Sequence, residues 1–63
     1  MAFPPVTLWS TATYSCVLRK TEGRLEVLLY HDGRTISLHT CDSEPTARRL
    51  AYDWKVAVDR RDH

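Results

Sequence analysis

Residues 21–41 read Thr-Glu-Gly-Arg-Leu-Glu-Val-Leu-Leu-Tyr-His-Asp-Gly-Arg-Thr-Ile-Ser-Leu-His-Thr-Cys, and this stretch decides the fold. Asp32-Gly33 is a strong short hairpin signal, because glycine accepts the positive φ that a type I′ turn demands. Glu22-Gly23 is a second turn signal. Leu25 to His31 lies between them and reads as a strand, as does Thr35 to Cys41.

Two-residue loops at both turns fix a register. Around Asp32-Gly33, His31 faces Arg34, Leu29 meets Ile36, and Val27 meets Leu38. Around Glu22-Gly23, Thr21 faces Arg24, Leu18 meets Val27, and Cys16 meets Leu29. One face then collects Tyr14, Cys16, Leu18, Leu25, Val27, Leu29, Ile36 and Leu38. A slip of one residue would scatter this set across both faces, so the two hairpins support each other.

Working outward, Trp9 to Lys20 is rich in Thr, Tyr, Val and Ser and reads as one unbroken strand. Residues 1–8, with Pro4 and Pro5, read as an extended lead-in. Beyond the hairpins, Ser43 can cap a helix, with Asp42 as the rival cap. Glu44 suits the positive end of the helix dipole. Pro45 is tolerated in a first turn. At 100° per residue, Ala47, Leu50, Ala51, Trp54, Ala57 and Val58 share an arc of roughly 120°. Glu44 with Arg48, Arg49 with Asp53, and Lys55 with Asp59 stand four apart and mark a solvated side. The expected fold is therefore α+β: a three-stranded antiparallel β-meander (9–41) with one C-terminal amphipathic helix (43–59) packed on one face, in the order β-β-β-α. Residues 60–63 read as a frayed tail.

The chain has 63 residues, enough for one domain, 1–63. A chain this short buries only roughly 60% of the surface its unfolded form exposes, so its stability margin is thin. Hydrophobic content of 43% and charged content of 27% are ordinary for a folded domain. Nine basic against eight acidic residues leave a net charge of +1, which gives no general pull toward nucleic acid or acidic lipid. No apolar run reaches the roughly 18 residues of a membrane span. Met1-Ala2-Phe3-Pro4-Pro5 lacks the basic and apolar regions of a signal peptide. A complete cytoplasmic chain without a membrane partner is the expectation.

The second sheet face is where a function has room. In the expected register it carries Val17, Leu28 and Tyr30, with Ser15, Thr35 and Ser37 beside them. A polar row, Arg19 opposite Glu26 opposite His39, closes one end. The helix is committed to the other face. Only the N-terminal segment with Phe3, Val6, Leu8 and Trp9 is left to fold over this one; otherwise a partner or solvent meets it. Contiguous apolar patches mark contact sites. Val17, Leu28, Tyr30, Arg19, Glu26 and His39 are therefore the candidate interaction face. Trp9, Tyr52 and Val56 form a secondary candidate, since Tyr52 and Val56 project from the helix side opposite Trp54. The expected partner is a protein, either a second copy or another chain. An open strand edge offers a second route to self-pairing.

No catalytic residue, metal site or cofactor is expected. The chain has no CxxC, HExxH, nucleophile elbow or phosphate-binding glycine loop. In the expected register His31 and His39 point to opposite faces. Cys16 sits mid-strand in the core. It is level with Ile36, about 16 Å along strand three from Cys41, so both thiols are expected free. The expected topology resembles, in shape, the plant AP2-type and integrase arm-binding DNA modules over residues 9–60, with no shared sequence motif. That resemblance implies a sheet laid against nucleic acid, the alternative function. Arg19 and Arg24 are the cations such a face would offer, and Tyr30 the one aromatic platform.

Overall fold

The computed structural model describes residues 4–61. It comprises β1 (Val6–Ser10), β2 (Tyr14–Thr21), β3 (Arg24–His31), β4 (Arg34–Cys41) and α1 (Glu44–Arg61). The four strands form one antiparallel sheet in the order β1-β2-β3-β4, and α1 packs across one face. The α+β architecture is as expected, but there are four strands and not three.

The extra strand arises because the stretch read as one long strand breaks at Thr11–Thr13. The Thr11 hydroxyl oxygen accepts hydrogen bonds from the backbone N–H of Tyr14 (3.0 Å) and of Thr13 (3.4 Å). A threonine hydroxyl that bonds backbone amides two and three residues ahead offers the chain a turn in place of a strand. The Thr11 N–H also donates to the Tyr14 carbonyl oxygen, at 2.7 Å. β1 then runs back beside β2, pairing Ser10 with Ser15, Trp9 with Cys16, Thr7 with Val17 and Val6 with Leu18. Leu8 is the extra residue of a bulge between Thr7 and Trp9. This puts part of the expected lead-in into the sheet.

Both glycine turns form as read. Glu22 and Gly23 have φ of 51° and 78°, and Asp32 and Gly33 have 51° and 81°. Two consecutive positive φ values define the type I′ geometry whose twist matches the strands it joins. The β2–β3 register is the expected one throughout, from Thr21–Arg24 through Leu18–Val27 and Cys16–Leu29 to Tyr14–His31.

The β3–β4 register departs from expectation. His31 still faces Arg34 and Tyr30 faces Thr35, but then Leu29 faces Ser37, Leu28 faces Leu38 and Val27 faces His39. Ile36 is an extra residue that shifts the rest of β4 by one. A bulge of this kind moves every later side chain to the other face. Ser37, His39 and Cys41 therefore lie on the helix face, and Leu38 and Thr40 on the outer face.

The core lies between sheet and helix. Cys16, Leu18, Val27, Leu29, Ala47 and Ala51 are buried together, with Leu8, Trp9, Tyr14, Leu25, Cys41, Leu50 and Trp54 packed around them. Ala47, Ala51 and Val58 are the buried helix positions, whereas Ala57 of the expected stripe is exposed. Small alanines let the helix approach the sheet closely, and Trp9 and Trp54 supply bulk at its sides. Ser43 is the cap: its carbonyl oxygen accepts from the Ala47 N–H at 3.1 Å and its Oγ from the Thr46 N–H at 3.4 Å. Glu44–Arg48 and Lys55–Asp59 pair along the solvated side at 2.9 and 3.4 Å. Among the described residues no ion pair joins Arg49 and Asp53.

Candidate functional site: the outer sheet face

The β-strand period of two and the observed pairings build the outer face as three cross-strand rows, with a further pair, Thr21 and exposed Arg24, beyond them at the β2–β3 turn. The middle row is Thr7, Val17, Leu28 and Leu38 on β1, β2, β3 and β4. On one side of it lies Ser10, Ser15, Tyr30 and Thr35. On the other lies Arg19, Glu26 and Thr40. The face is thus an apolar row framed by two polar ones, with Tyr30 bringing a ring to one frame.

Of the six candidate interaction residues, Val17, Leu28, Tyr30, Arg19 and Glu26 share this face. His39 does not. The β4 bulge carries it to the helix face, where its ring meets the edge of Trp54 with centroids 5.5 Å apart at 64°. Thr40 takes the place opposite Glu26 that His39 was expected to hold. The residue that sequence reasoning missed here is Leu38, which was assigned to the core and is 46% exposed on the outer face. Ile36, also assigned to the core, is 49% exposed. Leu28 is only 3% exposed, although it lies outside the helix-side core cluster. Val17 and Leu38 flank it from the neighbouring strands.

The only charges on the three rows neutralise each other. The Arg19 guanidinium donates from Nη2 and Nε to Glu26 Oε1, at 2.9 and 3.1 Å. Glu26 is the more sheltered partner, with its side chain 19% exposed against 41% for Arg19. A partly exposed pair of this kind contributes under about 1 kcal/mol to stability. Its effect on the surface is larger, since it leaves these three rows without net charge and Arg24 as the cation at the turn end of the face.

The N-terminal strand does not lie over this face. Trp9 points to the helix side, where its Nε1–H donates to the Ala51 carbonyl oxygen at 2.8 Å. Phe3, the other side chain expected to cover the outer face, falls outside the described residues. The secondary candidates divide: Trp9 is half-buried, Tyr52 is 65% exposed and Val56 is half-buried. Trp9 and Tyr52 share a shallow groove of about 280 Å³ with Leu8, Arg48, Ala51 and Lys55.

The titratable groups elsewhere are dispersed. The His31 ring stacks on Tyr14 with centroids 4.1 Å apart, and its Nε2 is 3.4 Å from Asp32 Oδ2. His31 and His39 sit on the same face, not on opposite ones, four positions apart on paired strands. Cys16 is fully buried, and burial pushes its thiol up to about 11. Cys41 is half-buried, and both thiols are free. The bulge makes Cys16 level with Ser37 and not Ile36. Among the described residues no three His, Cys, Asp or Glu side chains gather as metal ligands, and no helix is long and apolar enough to cross a membrane. No protein-family model matches the chain, and no curated protein matches it.

Proposed function

We propose that this protein is a small non-enzymatic interaction module whose outer sheet face seats a protein partner, a second copy of the chain first of all. The observation that carries the reading is Leu38. Strict alternation from the Asp32-Gly33 turn would have buried Ile36 and Leu38 under the helix. The bulge at Ile36 instead leaves Ile36 49% exposed and sets Leu38 on the outer face beside Leu28 and Val17. A domain this small gives up helix-side burial of two large aliphatic side chains at a real cost, about 1.5–3 kcal/mol each if fully buried. Local rules are broken where function compensates. A partner seated on the outer face restores the burial of Leu38.

The internal Arg19–Glu26 pair supports a protein partner over a nucleic acid. A sheet that reads a duplex needs several free cations to replace counterions. Here Arg19 is already bound by a carboxylate, which leaves Arg24, opposite Thr21 at the turn end of the face, as the single unpaired cation of this face among the described residues, short of several. The fourth strand also departs from the three-stranded shape of the DNA modules that the expected topology resembles.

The test is solution mass over a concentration series at low and high salt, repeated with a duplex and a single-stranded oligonucleotide. The module reading predicts concentration-dependent self-association that holds as salt rises, because apolar burial is insensitive to screening. Oligonucleotide binding that collapses with salt would replace it with the nucleic-acid reading.

A further inference from the structure

β4 carries two registers in one sequence, and the bulge at Ile36 is the difference between them. Both begin alike, with His31 paired to Arg34 and Tyr30 to Thr35 beside the Asp32-Gly33 turn. In the observed register Ile36 is the extra residue, and Leu29 faces Ser37, Leu28 faces Leu38 and Glu26 faces Thr40. Pairing without an extra residue sets Ile36 against Leu29, Ser37 against Leu28, Leu38 against Val27 and His39 against Glu26. The side-chain period is two, so this slip of one residue exchanges the faces of every side chain from Ser37 to Cys41.

Each register gains what the other gives up. The observed one keeps Ser37 and Cys41 half-buried on the helix face and sets the His39 ring on the edge of Trp54, 5.5 Å between centroids. It leaves Ile36 49% and Leu38 46% exposed, and one residue of the ladder unpaired. The slipped one turns both aliphatic side chains under the helix and completes the ladder. It takes His39 from Trp54 to the outer face, opposite the Glu26 that holds Arg19.

The fold also leaves room for the movement. β4 is the edge of the sheet, so the slip breaks no pairing on its far side. At its end, Thr40 takes the place of Cys41 opposite Leu25. One residue is thereby added to the link between that point and α1, which slackens it. Packed elements with two discrete arrangements of similar energy behave as switches.

We propose that β4 exchanges between these two registers in the free chain, and that the slip gates the outer face. Only the bulged register presents Leu38 beside Leu28 and Val17. The slipped one withdraws Leu38 under the helix and presents Ser37, His39 and Cys41. A partner that contacts Leu38 selects the bulged register and draws the population toward it. The gate rests on the interaction reading above; the slip belongs to the single chain and does not.

The experiment is saturation-transfer and relaxation-dispersion NMR on the wild type at monomer concentrations, with two variants that each hold one register. Deletion of Ile36 removes the extra residue, so unbroken pairing keeps Leu38 on the outer face. Ser37→Lys places a charge that the helix face rejects and the outer face accepts. Leu28 and Glu26 occupy non-hydrogen-bonded positions toward β4, where opposed Cα atoms lie about 4.5 Å apart and their Hα protons give strong NOEs. The deletion should show Leu28–Leu38 and Glu26–Thr40 NOEs. Ser37→Lys should show NOEs from Leu28 to position 37 and from Glu26 to His39.

The expected wild type has a second state in about 0.1–10% of molecules. It is confined to residues 36–41 and the β3 residues facing them, carries the shifts of Ser37→Lys, and disappears on deletion of Ile36. Slower exchange gives the same state as a second set of peaks. If Ser37→Lys does not fold, loss of the second state in the deletion decides alone. A wild type with one state overturns the proposal, as does a second state that survives the deletion, which is fraying and not a slip. Solution mass tests the gate: the deletion should self-associate at least as strongly as the wild type, and Ser37→Lys more weakly. Equal association of the two variants overturns the gate and leaves the slip.

Discussion

The indole Nε1 of Trp9 donates a 2.8 Å hydrogen bond to the carbonyl oxygen of Ala51, tying the edge strand β1 to the middle of the helix. It explains why the N-terminal segment is a strand and not a cover for the outer face. A lone five-residue edge strand is weakly held, and this bond with the packing of Leu8 and Trp9 on the core fixes it. Trp9→Phe keeps most of the packing and loses the bond, so it should cost about 1 kcal/mol. Trp9→Ala should cost about 3–5 kcal/mol. Urea melts of the two variants check this, and equal losses would mean that the bond contributes nothing.

Trp54 packs on the core from the other side of the helix and carries the edge of the His39 ring. Trp54→Ala should cost about 3–5 kcal/mol, most of the stability of a domain this size. The His39 ring protons should also lose their ring-current shift in that variant. Ring shifts unaffected by the substitution would return His39 to the outer face and remove the β4 bulge.

Glu22 holds φ of 51° at the first position of its turn, a left-handed conformation that costs an L-residue with a Cβ about 1–2 kcal/mol. Asparagine tolerates that region far better. Glu22→Asn should therefore stabilise the fold by about 0.5–1 kcal/mol, read as a raised urea midpoint at unchanged slope. The same change in a turn of another type would be neutral or harmful.

Burial raises the Cys16 thiol from 9.0 to about 11. The folded state holds this proton more tightly than the unfolded chain does. Its contribution to stability is therefore complete below pH 9 and is lost as pH rises from 9 toward 11. Stability measured over that window should fall more steeply for the wild type than for Cys16→Ala, by at most about 2–3 kcal/mol. Parallel curves would show that Cys16 is not buried. In the native protein near pH 8, alkylation should stop at Cys41.

How much of this was legible in the sequence follows from which devices leave a mark. Glycine at Asp32-Gly33 and Glu22-Gly23 marks both turns, so the β2–β3 register could be read residue by residue. Ser43 and the Ala47–Ala51 spacing mark the helix and its inner face. The break at Thr11–Thr13 carries no glycine or proline, since a threonine hydroxyl makes that turn, and threonine is also a favoured strand residue. The bulge at Ile36 is equally silent. A β-branched residue gives no hint that it is unpaired, and alternation through Ile36 and Leu38 pointed to burial. Five of the six residues expected on the outer sheet face lie on it because they depend on the β2–β3 hairpin. His39 was misplaced and Leu38 missed because both depend on the strand beyond the bulge.

The central claim is that a second copy covers the outer face, and Leu38 tests it most cleanly. Leu28 is 3% exposed, so Leu28→Glu risks the fold itself, whereas Leu38 is 46% exposed in the single chain and can carry a charge. The decisive measurement is sedimentation equilibrium of the wild type and Leu38→Glu over a wide concentration range, with circular dichroism confirming that both are folded. The account predicts a wild type that dimerises at low and high salt alike, and a folded Leu38→Glu variant that stays monomeric. A Leu38→Glu variant that dimerises as the wild type does, or a wild type that never leaves the monomer, would contradict it.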